Sequence, residues 1–129
     1  MRVQFKNKFL TLTLPFLLWT ALMIAVSSTP GKKLPEVGLW NFDKFAHWVE
    51  YFIFSFLLFR YMHLGRNVSM AGTLKLGIII SIAYAGLDEL HQMAIPNRLC
   101  TWQDFVADTI GVITGFYAAY RFYRRKRAA

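Results

Sequence analysis

The sequence is poor in cysteine and in acidic residues, and both shortages narrow what the chain can be. Its one cysteine, Cys100, excludes an intrachain disulfide and says little about the redox compartment. Only 7 Asp and Glu oppose 15 Lys and Arg, which leaves a formal net charge of +8. In a soluble protein this excess would suggest nucleic acid, but here the bases cluster at the ends of apolar segments. That pattern is typical of a membrane protein, in which bases that flank the spans set the orientation and contact anionic lipid head groups. We therefore expect no nucleic-acid partner.

Charge is also absent from long stretches of the chain, which is 56% hydrophobic. Its length of 129 residues fits one domain, 1–129. Residues 9–27 carry no charge over 19 positions, enough to cross about 30 Å of hydrocarbon. A cleaved signal peptide is the alternative, but this apolar core exceeds the usual length of such a region, which favours a retained anchor. Further spans are predicted at 45–64, 74–95 and 102–123. The predicted fold class is therefore all-α, an integral membrane four-helix bundle.

The distribution of charge predicts the orientation of these spans. Four spans place both termini and the 65–73 loop on one side, together with 11 of the 15 bases; the other side has Lys32, Lys33, Lys44 and Arg98. The positive-inside rule then predicts cytoplasmic termini. All 7 acids fall in outer loops or in the outward halves of the spans. We therefore expect a multi-pass protein of the bacterial cytoplasmic (inner) membrane whose polar residues face outward.

Polar side chains recur at helical spacing in three of the predicted spans. The three faces are Asp43, His47 and Glu50; Asp88, His91 and Gln92, with Glu89 beside them; and Asp104, Asp108, Gly111 and Gly115. An ionised residue inside a membrane helix costs about 2.5–3.5 kcal/mol, so such residues generally face a protein interior. We expect the three faces to converge on one cavity that opens outward. The glycines would allow a neighbouring helix to approach closely.

Several of these residues also have ordinary structural interpretations. Asp43 can be the N-cap of the second span, and Thr101 to Asp104 match a helix-start capping box. Capping does not explain the remaining acids, for which a structural ion-pair network and a ligand or catalytic site both remain open. The predicted ligand-binding set is Asp43, Lys44, His47, Glu50, Asp88, Glu89, Gln92, Arg98, Asp104 and Asp108.

The spaced motif resembles the VanZ-like family of small bacterial membrane proteins over about residues 40–115. It consists of Asp43-Lys44-x-x-His47-x-x-Glu50-Tyr51, Asp88-Glu89-Leu90-His91-Gln92, Pro96-x-Arg98 and Asp104-x-x-x-Asp108-x-x-Gly111. One position departs, because the family pattern has Asn where this chain has Asp108. The resemblance implies an envelope protein and an association with reduced susceptibility to the glycopeptide teicoplanin. It does not imply a particular reaction.

Three functions fit the sequence. The first is a non-enzymatic protein whose acidic pocket binds a cationic or amphiphilic envelope ligand, such as a cell-wall precursor lipid or an amphiphilic glycopeptide, among membrane lipids. The second is an intramembrane enzyme for a lipid-linked or phospholipid substrate, dependent on a divalent metal held by His47, Glu50, Asp88 and His91. In this enzyme Glu89 or Asp108 would be the general base. The third is a carrier, which the lack of polar groups along the inner halves of the spans disfavours.

Overall fold

The structure, a computed structural model, describes residues 7–31, 40–98 and 100–128, and every regular element in these ranges is helical. The first helix has a π-helical turn, Phe9–Thr13, that continues into α1, Leu14–Ser27. The second, α2, covers Trp40–Arg60 and ends in a π-helical turn, Tyr61–Gly65. The third, α3, covers Met70–Met93, and the fourth, α4, covers Trp102–Ala128.

The four predicted segments therefore correspond to four helices, which differ from the predictions mainly at their ends. The helix α2 begins at Trp40, so Asp43 lies in its first turn and the N-cap interpretation of Asp43 is wrong. The helix α3 begins four residues before its predicted start because the Ser69 hydroxyl caps it, accepting a hydrogen bond from the Gly72 N–H at 3.1 Å. Several charges used to predict orientation, namely Arg2, Lys6, Lys32, Lys33 and Glu36, lie outside the described residues.

Two of the helical segments, Phe9–Ser27 and Met70–Met93, are long and apolar enough to cross a membrane. Only 11% and 22% of their apolar windows are buried inside the structure, so neither resembles the core helix of a soluble protein. Large apolar side chains such as Leu18, Leu87 and Met93 are more than 60% exposed. An apolar surface of this extent favours contact with lipid.

The bundle is built around the close packing of α2 against α4, which run in the same direction. Gly111 and Gly115 of α4 lie against the α2 backbone: a Cβ added to either glycine would stand 2.5 Å from a carbonyl oxygen, that of Trp48 or Phe52. Aromatic residues continue the interface, with the rings of Phe59 and Tyr123 stacked at 5.9 Å. The two glycines thus set the distance between the helices that carry most of the polar residues.

The helices α1 and α3 run opposite to α2. The Arg60 guanidinium at the end of α2 donates to the Thr11 carbonyl at 3.1 Å, and the Trp19 indole N–H donates to the Glu50 carbonyl, also at 3.1 Å. His47, in the first half of α2, lies 3.7 Å from Glu89, near the end of α3. This alternation collects the acid-bearing parts of α2, α3 and α4 at one end of the bundle.

Candidate functional site

Asp104 is held at the start of α4 by contacts on both of its carboxylate oxygens. Its Oδ2 accepts hydrogen bonds from the Thr101 backbone N–H and hydroxyl, both at 2.8 Å, which confirms the Asp104 half of the predicted capping box. Its Oδ1 pairs with the Lys44 ammonium. Lys44 also donates to Asp43 Oδ2 and to the Thr101 hydroxyl, each at 3.1 Å. Asp104 therefore ties the start of α4 to the first turns of α2.

One turn further along both helices, His47 meets two buried carboxylates. Its Nδ1 donates to Asp108 Oδ1 at 2.9 Å, and Glu89 Oε1 from α3 lies 3.7 Å from the same nitrogen. Asp108 is fully buried and Glu89 is 6% exposed. A single N–H cannot satisfy both carboxylates, so one oxygen of each, Glu89 Oε1 and Asp108 Oδ2, has no hydrogen-bond partner among the described residues. Side chains from three helices thus converge on one point with unused acceptor capacity.

The other oxygen of Glu89 is bound by Cys100, whose role the sequence did not indicate. The thiol donates to Glu89 Oε2, with 2.7 Å between Sγ and the oxygen. Burial, followed by this carboxylate, raises the pKa of the Cys100 thiol to about 12. Cys100 is therefore a protonated hydrogen-bond donor that positions Glu89 from the loop between α3 and α4.

Asp88 belongs to a second, adjacent cluster of polar side chains between α2 and α3. Its Oδ2 accepts from the Gln92 amide at 3.0 Å and from the Tyr51 hydroxyl at 3.4 Å. Tyr51 is fully buried, and Gln92 and Asp88 are 5% and 8% exposed. The i, i+4 spacing of Asp88 and Gln92 predicted their common face, whereas Tyr51 was only part of the family motif and had no assigned role.

Glu50 lies where this polar region meets an apolar groove between α1 and α2. The groove has a volume of about 350 Å³, and Glu50 is the one acidic residue in its lining of Trp19, Leu22, Met23, Val26, Phe42, Phe45, Ala46, Val49 and Glu50. Glu50 follows His47 by three residues, so the two side chains lie on the same side of α2. The groove therefore leads from the outside of the bundle towards the carboxylates.

The structure does not bring together the four residues predicted as metal ligands. Among described residues, the groups of three that can hold an ion are His47 with Glu89 and Asp108, and His47 with Asp43 and Asp104. Glu50 and Asp88 belong to neither group, and His91 lies apart, with its Nε2 3.1 Å from the Ser28 hydroxyl near the end of α1. His47 is thus the one predicted ligand that the structure places in such a group.

The remaining predicted residues lie at the edge of this region. The Asp43 side chain is 58% exposed beside Lys44. Arg98 is in the loop between α3 and α4, where its Nε is buried without a hydrogen-bond partner in the described structure. The same loop contacts the end of α1 through a hydrogen bond from the Gly31 N–H to the Pro96 carbonyl at 3.2 Å.

These features define a class of protein: an all-helical bundle with an apolar exterior and a buried carboxylate–histidine cluster at one end. A family model described as VanZ/LLP1 matches residues 2–123, which is nearly the whole chain. The chain therefore belongs to the VanZ/LLP1 family, as the motif predicted. Comparison with curated proteins and with solved structures gives no match.

Proposed function

We propose that the chain is a four-span protein of the bacterial cytoplasmic membrane that binds an amphiphilic envelope ligand from the outer side. Family membership and the two strongly apolar helices support the membrane location. The helices α2 and α4 are the other two spans, and both termini are cytoplasmic. In this arrangement the carboxylate–histidine cluster lies near the outer surface, where cell-wall precursors and antibiotics are encountered.

The observation that carries the proposal is the groove between α1 and α2. Binding sites for small molecules typically combine an apolar lining with a few polar groups, in volumes of roughly 300–1,000 Å³. The groove fits that description at about 350 Å³, with Glu50 as its acidic group. An alkyl chain would lie against α1 and α2, and the head of the ligand would meet Glu50.

The charge around the groove favours a cationic head group. Glu50, Asp88, Glu89 and Asp108 belong to one end of the bundle, whereas the Lys44 ammonium is already engaged by Asp43 and Asp104. An amine on the ligand would pair with Glu50 in a region of low dielectric, where ion pairs are stronger than in water. A lipid-bearing glycopeptide such as teicoplanin belongs to this ligand class, and so does an amine-bearing precursor lipid.

Deletion of the gene tests the biological side of the proposal. We expect the deletion to change susceptibility to lipid-bearing glycopeptides more than susceptibility to vancomycin, which lacks the lipid chain. Complementation with the wild-type gene should reverse the change. Equal susceptibility to the lipid-bearing drug in deletion and wild-type strains would contradict the proposal.

Variants in the groove test the site itself. Val49→Trp fills the groove and Glu50→Gln removes its charge, so both should fail to complement and should weaken binding of an alkyl-amine fluorescent probe to purified protein. Leu87→Trp is the matched control, because it adds the same bulk at a position that is 65% exposed on α3, outside the groove lining. Probe binding that Val49→Trp leaves unchanged would place the ligand elsewhere.

A further inference from the structure

The point where α2, α3 and α4 meet has the features of a cation site. His47 Nδ1, a Glu89 oxygen and an Asp108 oxygen all lie within 4.8 Å of one another. Two of the separations are 2.9 Å and 3.7 Å, measured from His47 Nδ1 to Asp108 Oδ1 and to Glu89 Oε1. Ligands about 2.1 Å from a tetrahedral zinc ion stand roughly 3.4 Å apart, so these atoms need little movement to share one ion.

Burial provides a second observation that points to a cation. Glu89 Oε1 and Asp108 Oδ2 are buried acceptors without a hydrogen-bond partner among the described residues. Glu89 is 6% exposed and Asp108 is 0% exposed, so water does not replace the missing partners. A buried polar atom left without a partner is costly, generally about 1–3 kcal/mol and more for a charged group. A divalent ion would satisfy both carboxylates at once and offset the charge that one imidazole leaves unbalanced.

The second group of three, Asp43, His47 and Asp104, does not offer such a site. The Lys44 ammonium already contacts both of its carboxylates, and the Asp43 side chain is 58% exposed. A metal ion there would have to displace Lys44 or lie beside its positive charge. The competition between these groups therefore favours the one with Glu89 and Asp108.

We propose that His47, Glu89 and Asp108 form a binding site for a divalent transition-metal ion. One imidazole nitrogen and two carboxylates suit zinc or a similar ion better than calcium or magnesium, which prefer all-oxygen ligands. Binding replaces the proton that His47 Nδ1 now donates to Asp108, and water completes the coordination. This site is independent of the groove and does not rest on the proposed ligand.

Zinc binding to purified protein tests the inference. Untagged wild-type protein in detergent, stripped with a chelator, should bind one equivalent of Zn²⁺ in competition with a chromogenic chelator. His47→Ala, Glu89→Gln and Asp108→Asn should each weaken binding by more than about a hundredfold, beyond the 10–100-fold effect of indirect partners. Asp108→Asn preserves the size of the side chain and introduces the residue of the family pattern, so we expect it to fold.

Three further variants act as matched controls because they alter the other members of the predicted ligand set. Glu50→Gln, Asp88→Asn and His91→Ala remove comparable groups outside the cluster, and each should weaken zinc binding by far less than the hundredfold expected for the three ligands. Val49→Trp, which fills the groove, should also leave zinc binding unchanged. Failure of the groove proposal and failure of the metal proposal would therefore be distinguished.

A spectroscopic measurement on the wild-type protein avoids dependence on folded variants. Co²⁺ bound to His47, Glu89 and Asp108 should give visible d–d absorption without a sulfur-to-cobalt charge-transfer band. Such a band would assign the metal to Cys100 and overturn the proposal. Absence of saturable, stoichiometric Zn²⁺ binding in the wild-type protein would also overturn it.

Discussion

Asp104 and Asp108 lie one turn apart on α4, yet their surroundings differ in a way that separates structure from function. Asp104 contacts Lys44 and receives two hydrogen bonds from Thr101, so its carboxylate is fully used by the fold. Asp108 receives one hydrogen bond, from His47, and its Oδ2 is left over. We therefore interpret Asp104 as an anchor of α4 and Asp108 as a residue with capacity for a ligand.

Removing Lys44 should expose how strongly Asp104 depends on its ion pair. Lys44→Met leaves a carboxylate that is 1% exposed without its cation, and breaking a buried pair typically costs about 3–5 kcal/mol. Because the Lys44 side chain is 21% exposed and Thr101 still binds Asp104, we expect a smaller loss of about 2 kcal/mol. Chemical unfolding in detergent measures the loss of stability. The double variant Lys44→Met/Asp104→Asn should lose less than the sum of the single changes, and strict additivity would contradict direct coupling.

Cys100 should react slowly with thiol reagents in the metal-free protein. A pKa of about 12 leaves roughly a thousandfold less thiolate near neutral pH than an ordinary thiol of pKa 9.0 would have. Because the folded pKa is raised, labelling should increase with pH throughout the range from about 7 to 9 and should accelerate on unfolding. Glu89→Gln removes the negative acceptor and should also accelerate labelling in the folded protein.

The control for this labelling is a cysteine on an exposed loop without a carboxylate partner. Arg66→Cys in a Cys100→Ser background provides one, because Arg66 is exposed between α2 and α3. Labelling of the introduced thiol by maleimide in detergent should be far faster at the same pH. Equal labelling rates for the introduced thiol and for Cys100 would contradict the raised pKa.

At the scale of elements, the distance between α2 and α4 depends on two glycines. Gly111→Ala and Gly115→Ala would each place a Cβ 2.5 Å from an α2 carbonyl oxygen. Because the clash is with a backbone atom, no change of side-chain rotamer can relieve it. We expect each to destabilise the protein by about 1–3 kcal/mol, the usual cost of overpacking, as measured by chemical unfolding in detergent. Displacement of α4 should also weaken the contact between His47 and Asp108.

The helix α3 provides a glycine that serves as the control. At Gly86 an added Cβ would stand 3.7 Å from the Phe105 ring, an ordinary van der Waals contact. Gly86→Ala should therefore be neutral or stabilising by up to about 1 kcal/mol, since alanine favours the helix. If all three alanine variants lost the same stability, close approach of α2 and α4 would not be the cause.

The helices and their polar faces could be predicted because the spacing of apolar and polar residues in the sequence indicates both directly. Four helices occur where apolar runs or helical spacing predicted them, and Gly111 and Gly115 allow the predicted close approach. The pairing of individual residues was not predictable. Successive helical residues differ by about 100° in direction. A modest rotation of α3 therefore brings Glu89 into the buried polar face and turns His91 out of it. Cys100 in its loop had no periodic pattern that could reveal its contact with Glu89.

At the scale of the whole molecule, hydropathy and packing describe α2 and α4 differently. These two helices do not meet the hydropathy criterion for a span that Phe9–Ser27 and Met70–Met93 meet. However, several of their charged residues point into the bundle, where Asp104 and Asp108 are 1% and 0% exposed and would not contact lipid. Mean hydropathy does not distinguish side chains that face lipid from those that face the bundle interior. It therefore fails to identify membrane spans that enclose a polar site. The buried acids of α4 therefore support the proposed four-span topology.

Cysteine accessibility in whole cells distinguishes four spans from two. If all four helices cross, the loop after α3 is outside and the loop after α2 is cytoplasmic. If only α1 and α3 crossed, these two loops would exchange sides, and α1 and α3 would have to run in opposite directions, unlike their packing in the bundle. Ala94→Cys and Arg66→Cys in a Cys100→Ser background report on them, since both positions are exposed. We expect a membrane-impermeant maleimide to label the Ala94→Cys variant in intact cells and the Arg66→Cys variant only after permeabilisation. The opposite result would exclude α2 and α4 as spans. The C-terminus is cytoplasmic in both arrangements and cannot decide between them, which is why the two loops carry the test.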